Sequence, residues 1–344
     1  MPSLGNGGIE TMLVNIVNEQ VRIGHEVAII FIYKSVYEKS LLEQICPQVY
    51  LYFVNRKFNS KITYRILSPL LIRMRFNPDI VHFPSLMLAR NFFYKRPKEK
   101  WFFTQHNIEP QKDGVIYDKR FTAYIAISDI VCNKLNKLVP TMRNIVCYNS
   151  INMDKVSPKL HYGNKVLKVL SLGRMVFYYK AQDTILAALD ILNKQHRLDF
   201  DFDFIGGGKD LDKAKSLCKE YSLKEKVHFL GNQDNAYILE HLKEYDLIVH
   251  ASRNEGFGLT VIESIAAGIP ILLSDIDAFQ EISDKGRLAT MFKVDSTEEL
   301  AKGIIECVQD YKNKVSVAQL AQKEIYEKFS IQTMVRNLDR IYNL

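Results

Sequence analysis

Short apolar runs alternate with amphipathic segments along nearly all of the 344 residues. In the first half, apolar runs at 25–32 and 79–83 follow or precede segments of helical periodicity such as 9–23. The second half repeats the plan, with apolar runs at 168–172 and 247–251. This alternation is typical of parallel sheets whose strands are joined by helical, right-handed crossovers. Because the chain exceeds one ordinary core, we predict two α/β domains, each a doubly wound, Rossmann-like parallel sheet.

The boundary between the two domains is predicted within the segment 149–165, which is polar, contains Pro and Gly and shows no period. We therefore predict an N-terminal domain over 1–150, a linker over 151–165 and a C-terminal domain over 166–325. The remainder, 326–344, is predicted to be a helix that could pack back on the N-terminal domain.

Several classes of protein are excluded by composition. No apolar run approaches the roughly 18–20 residues of a membrane-spanning helix. The first residues lack the basic and apolar regions of a secretory signal. The five cysteines are scattered and form no C-x-x-C pair, which suits reduced thiols and offers no metal framework. We therefore expect a cytoplasmic protein without a metal.

One basic stretch stands out because no acidic residue lies between Glu43 and Asp79. Its basic residues alternate with Phe, Tyr, Ile, Leu and Met, and they are Arg56, Lys57, Lys61, Arg65, Arg73 and Arg75. This pattern is typical of an amphipathic surface that contacts anionic membranes, or of a solvated helix face beside a core stripe. The same charge could serve a nucleic acid, but no reading motif accompanies it.

The sharpest motif is the segment 255–263, which follows an apolar run. The segment is predicted to be a turn with Gly256 and Gly258 between a strand and the start of a helix. The helix start would present backbone N–H groups and the positive end of the helix dipole to a phosphate. The two glycines would let a ligand approach the backbone closely. Glu255 and Glu263 could accept hydrogen bonds from hydroxyl groups. The segment therefore predicts a ligand with hydroxyl groups on either side of its phosphates.

Three further segments carry candidate residues. Arg174 and Lys180 follow Gly173 at a predicted strand end. The Arg174 guanidinium could bind phosphate through two parallel hydrogen bonds, and the Lys180 ammonium could bind it as a compact charge. A glycine-rich stretch at 5–8 opens an amphipathic helix, which is a weak signal alone. His106 stands just beyond another predicted strand. The structural alternatives are surface ion pairs for the cations, a strand-end packing role for the histidine and a capped helix with surface acids for the glutamates.

In this order, the segments resemble the retaining glycosyltransferases of family 4, which have the two-domain GT-B fold. Residues 255–263 match the family's E-x7-E motif with its G-F-G-L filling, and 266–270 match the A-x-G-x-P that follows. The G-R…K loop, the opening G-G-x-E and the T-x-H strand end also match, so the resemblance covers nearly the whole chain. It implies two Rossmann-like domains facing each other across a cleft, a nucleotide-sugar donor that is usually UDP-linked, and no metal.

The resemblance also implies a role for each candidate. Glu263 would bind the ribose hydroxyls, and Arg174 and Lys180 the diphosphate. Glu255 would contact hydroxyls of the transferred sugar, and His106 would hydrogen-bond that sugar near the reacting carbon. Backbone contacts would come from Gly7, Gly8, Gly256, Phe257, Gly258 and Leu259. The leaving diphosphate can itself take the acceptor's proton, so catalysis would depend on stabilising its negative charge.

The reaction implied is transfer, with retention, of a hexose or N-acetylhexosamine from a nucleotide sugar to a glycan or lipid-linked glycan in surface polysaccharide synthesis, at the inner face of the cell membrane. Two features depart from the family pattern. Only Met1–Leu4 precede Gly5 where the family has a strand, so we expect the first strand of the N-terminal sheet to be missing and sheet edges to be exposed. Five residues separate Arg174 from Lys180, one more than expected.

Four other functions remain open at this point. A sugar-nucleotide epimerase or an inverting transferase could share the fold, although the run 255–270 argues against both. A catalytically inactive nucleotide-sugar-binding or scaffold subunit would fit a missing first strand. Nucleic-acid binding has the least support, since the basic charge lacks a reading motif.

Overall fold

The structure is a computed structural model that describes residues 8–33, 37–56, 64–84, 89, 92, 94–106, 117–163, 165–197 and 199–344. The chain forms two compact units, one of Met1–Ile151 with Ile331–Leu344 and the other of Asn152–Ser330. Residues from 152 onward, expected as a linker, are therefore part of the second unit. The C-terminal residues from 331 onward are part of the first.

The secondary structure alternates as the sequence pattern predicts. The strands are β1 (Ala28–Tyr33), β2 (Tyr50–Arg56), β3 (Ile80–Phe83), β4 (Lys100–Gln105), β5 (Ala123–Ala126), β6 (Asn144–Val146), β7 (Lys168–Leu172), β8 (Asp201–Ile205), β9 (Val227–Gly231), β10 (Leu247–His250), β11 (Ile271–Ser274) and β12 (Thr290–Phe292). The α-helices are α1 (Gly8–Arg22), α2 (Lys39–Leu42), α3 (Tyr64–Phe76), α4 (Asp129–Leu138), α5 (Phe177–Lys180), α6 (Gln182–Lys194), α7 (Leu211–Glu220), α8 (Asn235–His241), α9 (Leu259–Ala266), α10 (Asp277–Ile282), α11 (Thr297–Gln309), α12 (Tyr311–Phe329) and α13 (Ile331–Tyr342). None of the helices in the described ranges is both long and apolar enough to cross a membrane.

The first unit contains two parallel sheets, one of β1 and β2 and one of β3, β4, β5 and β6 in that order. Helix α1 packs against both of them. Its Val14 lies in an apolar cluster with Phe31 of β1. Its Met12 lies in a second cluster with Phe102 of β4 and Leu338 of α13. One amphipathic helix therefore covers two sheets that are not joined to each other within the described residues.

Arg73 of α3 is buried in the first unit. Its side chain is 2% exposed, its guanidinium donates to the Glu99 carboxylate, and it lies 5.2 Å from the ring centroid of Trp101. A buried cation needs such a partner, and Glu99 is far enough along the sequence that the local pattern did not reveal it. The prediction that Arg73 belongs to a basic surface was therefore wrong.

The rest of the basic stretch is only partly described. Arg75 is exposed, and the apolar side chains of Leu71 and Met74 on the same helix are 62% and 59% exposed. The other members, Lys57, Lys61 and the side chains of Arg56 and Arg65, lie outside the described part of the chain. A surface of Leu71, Met74 and Arg75 therefore remains as a candidate for a membrane contact.

The second unit is built on one parallel sheet with the strand order β9-β8-β7-β10-β11-β12. Such an order, with each half of the chain extending the sheet in the opposite direction, is that of doubly wound nucleotide-binding folds. Helices α6, α7 and α11 contribute to the apolar core on this sheet. The prediction of two α/β units with parallel sheets is confirmed.

Candidate functional site

The candidate site of the second unit lies where the direction of the sheet reverses. Strands β7 and β10 are neighbours, with Ile248 opposite Leu170. From β7 the chain proceeds to one side of the sheet, and from β10 to the other. The loops at the carboxyl ends of these two strands therefore diverge and leave the crevice in which open α/β sheets bind ligands. One loop carries Gly173 and Arg174, and the other carries Glu255.

Lys180 and Glu255 are brought into direct contact at this crevice. They are far apart in sequence, yet the Lys180 ammonium donates to the Glu255 carboxylate, and each side chain is 18% exposed. Ser252 donates a hydroxyl hydrogen bond of 3.0 Å to the same carboxylate oxygen. Two of the predicted site residues thus form one ion pair at the mouth of the crevice.

The loop after β7 depends on a close approach between two backbones. A Cβ on Gly206, which follows β8, would lie 2.0 Å from the carbonyl oxygen of Gly173. Gly206 also has a φ of +132°, which favours glycine. The stretch 206–208 therefore serves as a tight turn beneath the loop that carries Arg174.

Arg174 presents an exposed side chain on this loop. Its backbone carbonyl accepts a hydrogen bond of 2.9 Å from the Gln182 side chain. Its guanidinium forms no hydrogen bond or ion pair with another described residue. The side chain can therefore turn toward an anion in the crevice without breaking a contact.

The N-terminus of α9 adds a further positive potential. The helix is capped by Gly258, whose φ is +119° and which provides no side-chain hydrogen bond to the first turn. A Cβ at this position would also approach the Phe279 ring to 3.0 Å. Phe257, the residue before Gly258, is buried, and its ring centroid lies 5.4 Å from that of Phe329. The first backbone N–H groups and the helix dipole thus form the kind of site that binds phosphate.

Glu263 lies one turn inside α9 and is buried. Burial raises the pKa of its carboxyl to about 7, and a hydrogen bond of 3.2 Å from the Asn235 side chain opposes this rise. Sequence reasoning missed Asn235. The polar stretch 232–235 directly after β9 was the available signal, because loops at the carboxyl ends of strands carry ligand contacts in this fold.

Arg253 is a second residue that sequence reasoning missed. Its guanidinium donates to both carboxylate oxygens of Asp183 at 3.0 Å, to the Thr184 hydroxyl at 3.1 Å and to Asp295 at 2.5 Å. It also donates to the backbone carbonyl of Phe177, the first residue of α5. Arg253 therefore fixes the short helix that carries Lys180.

Beside this site, His250 of β10 is buried, and its Nε2 lies 3.4 Å from the Ser264 hydroxyl oxygen. Burial, together with the nearby Lys180 cation, lowers its pKa to about 3. His250 is therefore neutral at ordinary pH and adds no charge to the crevice.

The remaining predicted residues belong to the first unit. His106 follows β4 directly and is half-buried, and Gly8 is the first residue of α1. Gly7, with the rest of the first glycine loop, lies outside the described residues.

Burial, with a smaller effect of the His106 charge, lowers the pKa of His82 to about 3, and His82 contacts Thr104 and Tyr342 at 2.6 Å.

The family model described as "Glycosyl transferases group 1" matches residues 153–324. The N-acetyl-alpha-D-glucosaminyl L-malate synthase of Bacillus anthracis is 27% identical over 228 residues, which are 63% of this chain and 58% of that protein. An O-antigen biosynthesis glycosyltransferase of Escherichia coli is 32% identical over 148 residues, which are 42% of this chain and 39% of the relative. The matched part of the chain thus spans less than two thirds of the length of each of these two relatives.

The whole fold resembles that of the Anabaena protein HepE, solved in complex with UDP-glucose. The TM-score is 0.80 at 17% identity, and the alignment covers 100% of this chain and 98% of HepE. This likeness establishes the GT-B fold, with its two Rossmann-like units.

Proposed function

We propose that this chain, which belongs to the glycosyl transferases group 1 family, transfers a sugar from a nucleotide sugar to a glycan acceptor with retention of anomeric configuration. The observation that carries the proposal is the arrangement at the crevice of the second unit. Two cations, a helix N-terminus without a side-chain cap and two carboxylates lie on the loops and the helix of this crevice. This combination suits a diphosphate flanked by two hydroxyl-bearing groups.

In the proposed complex, the diphosphate binds to Arg174, to Lys180 and to the backbone N–H groups at the start of α9. Lys180 exchanges its contact with Glu255 for the phosphate, and the released carboxylate accepts hydrogen bonds from the transferred sugar. Glu263, buried one turn inside the same helix, accepts hydrogen bonds from the ribose hydroxyls in its ionised form. Each carboxylate thus binds hydroxyl groups on one side of the diphosphate.

In the proposed reaction, the bond between the anomeric carbon and the diphosphate oxygen breaks, and the acceptor oxygen bonds to that carbon on the same face. The acceptor's proton goes to the departing diphosphate, whose charge Arg174 and Lys180 stabilise. This scheme uses no metal. His106 is proposed to hydrogen-bond the transferred sugar, and Gly7 and Gly8 are proposed as backbone contacts of the diphosphate.

We propose UDP as the nucleotide, supported by the UDP-glucose bound to HepE, and a hexose or N-acetylhexosamine as the sugar. The proposed acceptor is a glycan or lipid-linked glycan of a surface polysaccharide, supported by the O-antigen relative. The reaction would then take place at the cytoplasmic face of the membrane, where Leu71, Met74 and Arg75 are candidates for contact.

The first test is the melting temperature of the purified chain with a panel of nucleotide sugars, and with UDP and GDP alone. A ligand at about a hundred times its Kd stabilises by roughly 2.7 kcal/mol, which is a shift of several degrees. Glu263→Ala should abolish the shift, whereas Glu298→Ala, which changes an exposed side chain on α11, should leave it intact. If no nucleotide shifts the wild-type chain, the donor site is wrongly assigned.

The second test concerns the reaction itself. The anomeric configuration of the product, read by NMR coupling constants, should equal that of the donor. An inverted product would refute retention. Donor binding without turnover on any acceptor would instead favour an inactive nucleotide-sugar-binding subunit.

A further inference from the structure

A pocket of about 400 Å³ lies in the first unit, at the amino ends of β1 and β2. It is lined by Glu26, which stands shortly before β1, by the first residues of β2 and by the last residues of α3. The two strands are parallel, with Ala28 opposite Tyr50, so their amino ends lie at one edge of the sheet. In doubly wound folds ligands react at the carboxyl edge, so this pocket is a separate place on the unit.

Three aromatic rings line this pocket. Tyr50 and Tyr52 lie two residues apart on β2 and therefore project from the same face of the strand. The Tyr50 ring packs edge to face against Phe76, the last residue of α3, with 5.6 Å between the centroids. Tyr50 is nonetheless 49% exposed, and neither tyrosine hydroxyl forms a hydrogen bond with another described residue. An aromatic surface is thus held in place and left open to a ligand.

Glu26 and Arg75 bring opposite charges to the same pocket without pairing. Both side chains are exposed, and neither forms an ion pair or a hydrogen bond with another described residue. The ionised carboxylate can only accept hydrogen bonds, and the guanidinium can only donate them. Together with the tyrosine hydroxyl groups, which do both, these two groups surround the rings with donors and acceptors that carry no net charge.

This combination suits a sugar ring. A pyranose has a flat face of C–H groups, which stacks on an aromatic ring, and a rim of hydroxyl groups that donate and accept hydrogen bonds. Glu26 would repel a phosphate or an anionic surface, and a wholly apolar ligand would cover both charged groups without pairing them. The volume also lies in the range of small-ligand sites, which is about 300–1,000 Å³.

We propose that this aromatic pocket, formed by Glu26, Tyr50, Tyr52, Arg75 and Phe76, binds a sugar of the glycan acceptor that is not the sugar receiving the new bond. The proposal rests on the proposed function, because an enzyme that extends a glycan meets a chain of several sugars. A second contact with such a chain raises the effective concentration of its reacting end. The pocket thus anchors the acceptor while another part of the same chain reacts.

The test is saturation-transfer NMR of the purified chain with a panel of neutral oligosaccharides of glucose, galactose, mannose, rhamnose and N-acetylated hexosamines. Saturating UDP is present, so that a sugar does not enter the donor crevice. The wild type is compared with Tyr50→Ala, Glu26→Gln and Tyr94→Ala. Tyr94 is the matched control, because it is 50% exposed, belongs to the same unit and does not line the pocket. Arg75 stays unchanged, because it also belongs to the candidate membrane surface.

We expect at least one oligosaccharide to bind the wild type and Tyr94→Ala equally. Tyr50→Ala should raise its Kd roughly tenfold, because truncation of an anchoring aromatic side chain removes a main contact. Glu26→Gln should raise the Kd severalfold, because a neutral amide is a weaker acceptor than a carboxylate. If Tyr50→Ala does not fold, Glu26→Gln decides alone.

The proposal is wrong if no oligosaccharide of the panel binds, or if both pocket variants bind as the wild type does. It is also wrong if Tyr50→Ala lowers the affinity for UDP, because the pocket would then be a nucleotide site. The melting temperature of the wild type with UDP separates this failure from that of the proposed function. A shift with UDP in the absence of glycan binding leaves the donor site in place and removes only the pocket.

Discussion

Arg253 holds the short helix that carries Lys180, so its removal should weaken both the second unit and donor binding. In Arg253→Ala the bidentate contact with Asp183 and the contact with Asp295 are lost. The backbone carbonyl of Phe177 loses its donor as well. The substitution leaves in place the backbone hydrogen bond of 2.8 Å from Arg253 to Tyr179 and the contact between Lys180 and Glu255.

The magnitude follows from exposure. A hydrogen bond to a charged group contributes about 1.5–3 kcal/mol when it is protected from water. Here the side chains of Arg253 and Asp183 are 26% and 34% exposed, so solvent screening reduces each contact. We expect a total loss of about 2 kcal/mol in the free energy of unfolding. For a unit of this size that corresponds to a fall of roughly 4–8 °C in melting temperature.

The assay is the melting temperature together with the Kd of UDP, measured by calorimetry. Arg253→Ala should lower the melting temperature and raise the Kd of UDP severalfold, because α5, and with it Lys180, is no longer held in place. Asp295→Asn is the matched control, since it removes one partner that is 54% exposed and leaves Asp183 in place. A variant Arg253→Ala with unchanged melting temperature and unchanged Kd would refute the reasoning, as would an equal loss of UDP affinity in the control.

Three further predictions follow from single side chains. The folded-state pKa of Glu263, about 7, lies above its ordinary value of 4.5, so the unfolded chain releases this proton first as pH rises. Stability should therefore fall by roughly 3 kcal/mol between those pH values, and Glu263→Gln should flatten the dependence in urea titrations. Arg75→Glu should weaken binding to anionic vesicles roughly tenfold in sedimentation assays and leave binding to neutral vesicles unchanged, since each basic residue near such a surface contributes about 1 kcal/mol. Lys180→Ala should lower kcat roughly a hundredfold or more in a transfer assay, whereas Lys209→Ala, on the exposed turn after β8, should not.

The alternation of apolar runs and amphipathic segments was sufficient to predict the parallel sheets, because each element's pattern is local. The motif segments around 173–180 and 255–263, together with the family resemblance, led to the prediction that Arg174 and Glu255 bind one donor. The two residues follow β7 and β10, which are neighbours in the sheet. The contact between Lys180 and Glu255 is consistent with that assignment.

Contacts between side chains that are distant in sequence were not predictable in this way. The basic pattern around Arg73 gave no sign of its buried partner Glu99, because the pairing depends on how the fold places α3 near the residue that precedes β4. The contact of Arg253 with Asp183 likewise depends on the placement of α6.

The ion pair of Lys180 and Glu255 should make donor binding depend on an exchange of partners. Both side chains are partly exposed, so the pair itself contributes little, on the order of 1 kcal/mol. A diphosphate offers Lys180 more negative charge than one carboxylate does, and the N-terminus of α9 favours the same group. Glu255→Gln removes the competing charge and keeps the side-chain shape. It should therefore bind UDP severalfold more tightly, while sugar transfer falls because the hydroxyl acceptor is weaker. If UDP affinity, measured by calorimetry, is unchanged or lower in this variant, Lys180 does not exchange partners when the diphosphate binds.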